Sequence, residues 1–239
     1  MLFRSDVGTA TEMSSQADVI LSVCPPHAAL EVVRSVAGFG GIYVDANAVS
    51  PATAREVAEV VTAGGARYVD GGIIGAPPRS PGDSRLYLSG LWAEEISKLF
   101  AGTPLDAQVI GDEIGQASAV KMAYAAWTKG TAALILAIRA LARAEGVEQT
   151  LVAEWQQSQP ALTARPHAAA RSALQKGWRW VAEMEEIAAT MSAAGLPPGF
   201  HEAAAAIYTR VPHTTTSAPT SEPSLTTVIN ALLAERSPA

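Results

Sequence analysis

Cysteine is almost missing. Cys24 is the single cysteine of the 239 residues and His27 its only nearby histidine, so the chain encodes neither an internal disulfide nor a Cys/His zinc site. A reducing cytoplasm fits that usage, and no metal site is expected. Basic residues are scarce as well: 17 Lys and Arg against 23 Asp and Glu give a net charge of −6. Without a basic run or an aromatic-basic alternation, general binding to nucleic acid or an anionic membrane is excluded. Long uncharged apolar runs are lacking too. The longest near the middle of the chain, between Lys129 and Arg139, has nine residues, short of the ~20 that a membrane span needs. The opening MLFRSDVGTATEMSSQADV has no apolar signal-peptide core.

What is present is enough for a substantial core, with 49% hydrophobic and 17% charged residues. Between about 18 and 111, short β-rich runs alternate with Ala/Glu/Val-rich segments of helical period. The runs are 19-VILSVC-24, 42-IYVDAN-47, 67-RYVDGGIIG-75, 85-RLYLSG-90 and 107-AQVIG-111. This predicts an α/β domain with a mostly parallel sheet. The first two runs are apolar throughout, as strands covered on both faces should be. The segment 51-PATAREVAEVVTAGG-65 predicts a crossover helix with Ser50 as N-cap, Pro51 in its first turn and Gly64 or Gly65 as its stop.

Beyond Gly111 strand signals vanish. Helices are predicted at roughly 115–145, 147–158, 160–174, 178–194, 200–210 and 224–235, broken by Gly146, Pro160 and 195-GLPPG-199. On the first of these, Val120, Tyr124, Trp127, Thr131, Leu134, Ile138 and Leu141 recur at spacings of three and four, with mostly alanine between them. Nearly the whole circumference is suited to burial, by the second domain or by another copy of the chain, so a homodimer through the helical domain is expected.

Lys121 stands out among small and apolar residues, since removing an ammonium from water costs several kcal/mol unless it is paired. One reading is a snorkelling lysine at the helix edge. The other is proton transfer, because Tyr124 shares its face at i+3 and the preceding 115-GQASA-119 has no bulky side chain.

An α/β domain, a G-x-x-x-x-x-K helix from Gly115 to Lys121 and a helical second domain together resemble the β-hydroxyacid dehydrogenase superfamily, which includes 3-hydroxyisobutyrate and 6-phosphogluconate dehydrogenases. The resemblance covers about residues 8–210. It implies a partial Rossmann-type domain at 1–112, a helical substrate and dimerisation domain at 113–211, and a linker with a short helix at 212–239. It also implies NADP or NAD as cofactor, hydride transfer with a small hydroxy or carbonyl compound, Lys121 as acid/base and Tyr124 as its assistant. The run 19-VILSVCPPHAALEVV-33 resembles the family's fourth strand and its proline-containing loop, where the chain passes the cofactor's adenosine side, and 45-DANAVSP-51 its loop near the nicotinamide ribose. Cys24, Pro25 and Asn47 are therefore the cofactor-contact candidates, with a small buried apolar residue as the other reading of Cys24. The segment 70-DGGIIGAPP-78 falls where the family has its substrate loop, making Gly72, Ile73, Ile74 and Gly75 substrate-side candidates. The branch is a little-characterised one.

Several departures accompany the resemblance. The family's substrate-binding serine falls on Ile74, and its asparagine after the lysine falls on Ala125. The Lys-Asp pair of the last long helix falls near Ala182 and Glu183. Among Trp178, Arg179 and His201, which could line the cleft, His201 reads as an exposed first-turn residue and the tryptophan as packing. No G-x-G-x-x-G occurs, and 38-GFGG-41 precedes a strand instead of following one. The expectation is an N-terminally truncated enzyme lacking the first βαβ unit, with weak or no dinucleotide binding and an open sheet edge. A non-catalytic remnant that only dimerises, and a small-acid-binding module without redox chemistry, are the competing readings.

Overall fold

The computed structural model describes residues 8–213 and 224–234. The described elements are α1 (Ala10–Gln16), β1 (Val19–Ser22), α2 (Ala29–Ser35), β2 (Ile42–Asp45), α3 (Pro51–Ala63), β3 (Arg67–Gly75), β4 (Ser84–Ser89), α4 (Ala93–Leu99) and β5 (Leu105–Gly111), then α5 (Gln116–Ala144), α6 (Glu148–Ser158), α7 (Arg165–Ala193), α8 (Gly199–Arg210) and α9 (Ser224–Leu233). Contacts divide the chain into two units, 1–124 and 125–239, so the division falls inside α5, whereas the sequence places it ahead of that helix.

In the first unit the sheet order is β1-β2-β3-β4-β5, parallel throughout except for the antiparallel β3–β4 pair. α2 and α3 cover one face, with Val57 and Val61 of α3 packed with Tyr43 and Tyr68, and α4 covers the other over Val44, Val69, Leu86 and Leu88. α3 is built as its sequence reads: Ser50 Oγ accepts from Thr53 N at 3.1 Å, Pro51 lies in the first turn, and Gly64 caps the end. β2 is buried at all four positions, but β1 is an edge strand whose Leu21 is 42% exposed, so the expectation that both runs are covered on both faces holds for β2 only. Both strands stop two residues before their apolar runs do. α1 falls outside the predicted elements, although Thr9 and Glu12 form a reciprocal capping box that its sequence carries.

In the second unit α7 is one continuous helix through the predicted break at 174–178. Gly177 sits in its interior, where a Cβ would meet Tyr208 at 3.6 Å and Ala173 at 3.7 Å, ordinary contact distances, so this glycine ends nothing and the packing does not require it. The predicted helix start at Pro160 is a 3-10 turn, with α7 beginning at Arg165. At the α5–α6 corner the Glu148 carboxylate accepts from Arg139 at 2.6 Å and Arg143 at 2.8 Å, and the Arg143 hydrogen bond leads the causes that hold its acidity below the ordinary carboxylate value. The expected linker lies mostly outside the described residues.

On α5 the single chain buries the alanine side of the helix and leaves much of the apolar stripe exposed. Its alanines at 117, 125, 126, 133, 140 and 142 are buried, while Val120, Tyr124, Trp127, Leu134 and Leu141 are exposed. By length and composition this helix is apolar enough to cross a bilayer, contrary to the reading from uncharged runs, because alanines flank the nine-residue run; half of its most apolar window is buried in the protein, as in a core helix.

Candidate active site

Ser22 and Asp45 close the carboxyl ends of β1 and β2 and lie side by side with Asp70 in the middle of β3, Ser22 paired to Asp45 and Asp45 to Asp70 in parallel register. All three are buried. In sheets of this kind ligands bind beyond these strand ends.

Asp70 is fully buried and acts as a helix cap from a distance. Its Oδ2 accepts from Gly115 N at 3.0 Å, Ser118 N at 3.0 Å and Ser89 Oγ at 3.1 Å, and its Oδ1 accepts from Ser118 Oγ at 2.6 Å. Ala117 N donates to Ser89 Oγ at 3.1 Å. The carboxylate thus satisfies orphan N–H groups at the start of α5 and meets the positive end of its dipole. Gly115, at φ +100, supplies the left-handed turn into the helix, where a side chain would be strained and would also crowd Arg55 and Pro51.

One turn later stands Lys121, whose Nζ donates to Ile73 O at 2.7 Å. The strand beneath must be glycine: a Cβ on Gly72 would lie 2.8 Å from Ala117 O and 3.1 Å from Lys121 Cβ. The structure therefore brings Lys121, Gly72 and Ile73 together. The segment 72–75 is the end of β3 and no loop, paired residue by residue with β4 from Tyr87 to Ser84. Ile74 is buried, and Gly75, at φ +132, faces the Asp83 carbonyl too closely for any side chain. Tyr124 is half exposed on α5.

A second group links the loops after β1 and β2. Cys24 N donates to Asn47 Oδ1 at 2.6 Å, Asn47 Nδ2 to Ser22 Oγ at 3.0 Å, and Asn47 N to Asp45 Oδ1 at 3.0 Å. Cys24 and Asn47 are thus neighbours, and Pro25 leads directly into the 3-10 turn Pro26–Ala28. Burial pushes the Asp45 carboxyl up to about 6, helped by the charge of Asp70, and Asp45 Oδ2 has no hydrogen-bond partner. Burial also raises the Cys24 thiol, and takes Tyr43 up to about 12.

The second unit contains groups the sequence did not single out. Lys129 on α5 pairs with buried Glu183 on α7 and lies 5.7 Å from the Trp180 ring, and Tyr208 donates to Lys129 O at 2.6 Å. A lysine partner for Glu183 therefore exists, supplied by another helix. Trp180 packs edge-on against Tyr208, whereas Trp178 is half exposed. His201 is buried, contrary to its reading as an exposed first-turn residue, because Gly130 of α5 lets its ring approach. A cavity of 590 Å³ in this unit is lined by Trp127, Trp155, Trp180, Lys129, Leu162 and Arg165. Among the described residues no group of His, Cys, Asp and Glu could hold a metal ion.

Residues 142–211 match the model of a domain of unknown function, DUF1932. A curated relative, an uncharacterized 28.5 kDa protein from Methanothermus fervidus, is 31% identical over 143 residues, 59% of this chain and 54% of that protein. The chain thus spans about half the length of this relative. A conserved protein of unknown function, described as structurally similar to 3-hydroxyacid dehydrogenases, superposes with TM-score 0.60 at 28% identity, covering 80% of this chain and 75% of that one. A 3-hydroxyisobutyrate dehydrogenase from Salmonella typhimurium gives TM-score 0.62 at 18% identity over 84% and 76%. An imine reductase from Myxococcus stipitatus in complex with NADP+ gives 0.51 at 21% over 84% and 77%.

Proposed function

For a chain with the fold of the 3-hydroxyisobutyrate dehydrogenase-like superfamily, we propose an NAD(P)-dependent oxidoreductase acting on a small hydroxy or carbonyl compound in the cytoplasm, with Lys121 as the proton-transferring residue. The observation that carries this reading is the support built around Lys121. A buried carboxylate, Asp70, fixes the start of α5, and glycine at 72 lets the helix lie against β3. The ammonium is aimed at a backbone carbonyl, that of Ile73. A lysine so positioned exchanges a proton with a substrate oxygen by a short movement from Ile73 O.

The cofactor side is the loop carrying Cys24 and Pro25 together with the Asn47 turn, at the strand ends where such folds bind nucleotides. In this reading the Cys24–Pro25 loop passes the adenosine side of the dinucleotide and the Asn47 turn lies near the nicotinamide ribose. No glycine turn for the pyrophosphate occurs in the 239 residues, so binding is expected to be weak. When bound, the nicotinamide supplies or accepts the hydride. Lys121 holds or releases the proton at the substrate oxygen, Tyr124 lies within the same helix face to assist, and Gly72, Ile73, Ile74 and Gly75 form the substrate-side wall. Buried Ile74 makes that wall apolar, which disfavours a plain 3-hydroxy carboxylate.

The partner is a second copy of the chain. The exposed residues of α5 at 120, 124, 127, 134 and 141 keep the alternating three-and-four spacing of a coiled-coil seam, with Thr131 and Ile138 completing it. The test of the catalytic reading is reductase activity with Lys121→Met. Turnover slowed at least 100-fold, with KM for NADPH unchanged, supports it, and unchanged turnover removes Lys121 from the role.

A further inference from the structure

Resting on the reading of these loops as the cofactor side, we infer that Asn47 is a positioning residue: its side-chain amide clamps the loop after β1 to the turn after β2 and sets the backbone of Cys24 and Pro25 that the dinucleotide meets.

The geometry gives Asn47 this role in place of direct contact. The residue is only 2% exposed, and both ends of its amide are engaged, the oxygen by Cys24 N at 2.6 Å and the nitrogen by Ser22 Oγ at 3.0 Å. Its own N–H is held by Asp45 Oδ1 at 3.0 Å, which fixes the turn from which the side chain reaches across. The segment it holds has little else to hold it. β1 ends at Ser22 and the 3-10 turn begins at Pro26, so residues 23–25 belong to no regular element. Val23 is 63% exposed, and Pro25 has no N–H to donate. The remaining ties are a long contact of 4.0 Å between Ser22 Oγ and Cys24 Sγ and two bonds at the margins, Ala46 N to Ser22 O at 3.0 Å and Ala28 N to Pro25 O at 2.9 Å. An amide is suited to the task because it accepts and donates at adjacent atoms. A carboxylate offers only acceptors, and here it would stand beside Asp45.

The chain carries its own reporter. Cys24 is its single cysteine, partly buried and inside the clamped segment. Its reaction with 4,4′-dithiodipyridine, which proceeds at acid and neutral pH, measures loop opening with no cofactor present. The full chain is compared with Asn47→Leu, which keeps the size and removes both bonds, and with Asn47→Asp. At pH 7.5 both variants are expected to react at least 10-fold faster than the wild-type chain and to bind NADPH at least 10-fold more weakly, with far-ultraviolet circular dichroism unchanged. At pH 5 the new carboxyl of Asn47→Asp takes up a proton and again both accepts and donates. That variant is then expected to return to within about 3-fold of the wild-type rate, while Asn47→Leu does not. A direct contact role predicts weaker NADPH binding with unchanged Cys24 reactivity, and that result overturns the clamp. If Asn47→Leu fails to fold, the pH-dependent rescue of Asn47→Asp decides alone. If wild-type chain binds neither NADPH nor NADH while Cys24 still follows the amide, the clamp stands and the cofactor reading of these loops falls.

Discussion

Asp45→Asn should stabilise the protein at neutral pH and remove a pH dependence, an effect of opposite sign to most core substitutions. In the folded chain the Asp45 carboxyl is raised from 3.8 to about 6, chiefly by burial. A raised acid binds its proton more tightly when folded than when unfolded. Stability therefore falls as pH rises from about 4 to about 6, and the loss is complete above that window. The difference between the two values corresponds to about 3 kcal/mol at pH 7.5. Asparagine keeps the acceptor for Asn47 N, held at 3.0 Å, and replaces Oδ2, which has no hydrogen-bond partner, with an amide NH2. Burying that NH2 costs about 1–2 kcal/mol where it finds no acceptor. The net gain at pH 7.5 is then about 1–2 kcal/mol, while at pH 4.5 the variant is level with or below the wild-type chain. Urea denaturation of both proteins at the two pH values gives the double difference, about 2 kcal/mol because part of the loss has already occurred at pH 4.5, and in it the amide cost cancels. A double difference near zero would mean that Asp45 is no harder to ionise folded than unfolded, and the burial assigned to its carboxyl would be wrong.

Asp70→Asn should cost roughly 2–4 kcal/mol in the same denaturation experiment, because an amide cannot accept all the bonds that Gly115, Ser118 and Ser89 now donate. Gly72→Ala should cost about 1–3 kcal/mol, since its Cβ meets the Ala117 carbonyl at 2.8 Å, and should lower reductase turnover more than stability by shifting Lys121. Trp127→Asp, at a position 66% exposed, should leave the folded chain intact but shift its sedimentation from dimer to monomer; an unchanged dimer would discard the α5 seam.

Local chemistry is legible in the sequence and distant partnership is not. α3 can be bounded from Ser50, Pro51 and Gly64 because a cap is made by residues adjacent in sequence. α5 has no such local signal, since its cap is a carboxylate on β3, and the meaning of Asp70 emerges only when the strand lies beside the helix. The predicted gap between 174 and 178 does not occur, because the packing of α7 against α8 that carries the helix through it comes from residues distant in sequence. The stripe on α5 is legible as a period, but periodicity does not say whether the apolar face or the alanine face meets the rest of the same chain. Among the candidate residues, the structure joins Lys121 to Ile73 and Cys24 to Asn47, while Lys129 and Glu183 escape notice as a pair because their helices are far apart in sequence.

The most direct test is titration of the purified, folded chain with NADPH and NADH while following nicotinamide fluorescence. Saturable, weak binding of at least one of them is expected, weakened further in the Asn47→Leu variant. Failure of the folded wild-type chain to bind either dinucleotide at any accessible concentration would contradict the assignment of these strand ends to a nicotinamide cofactor.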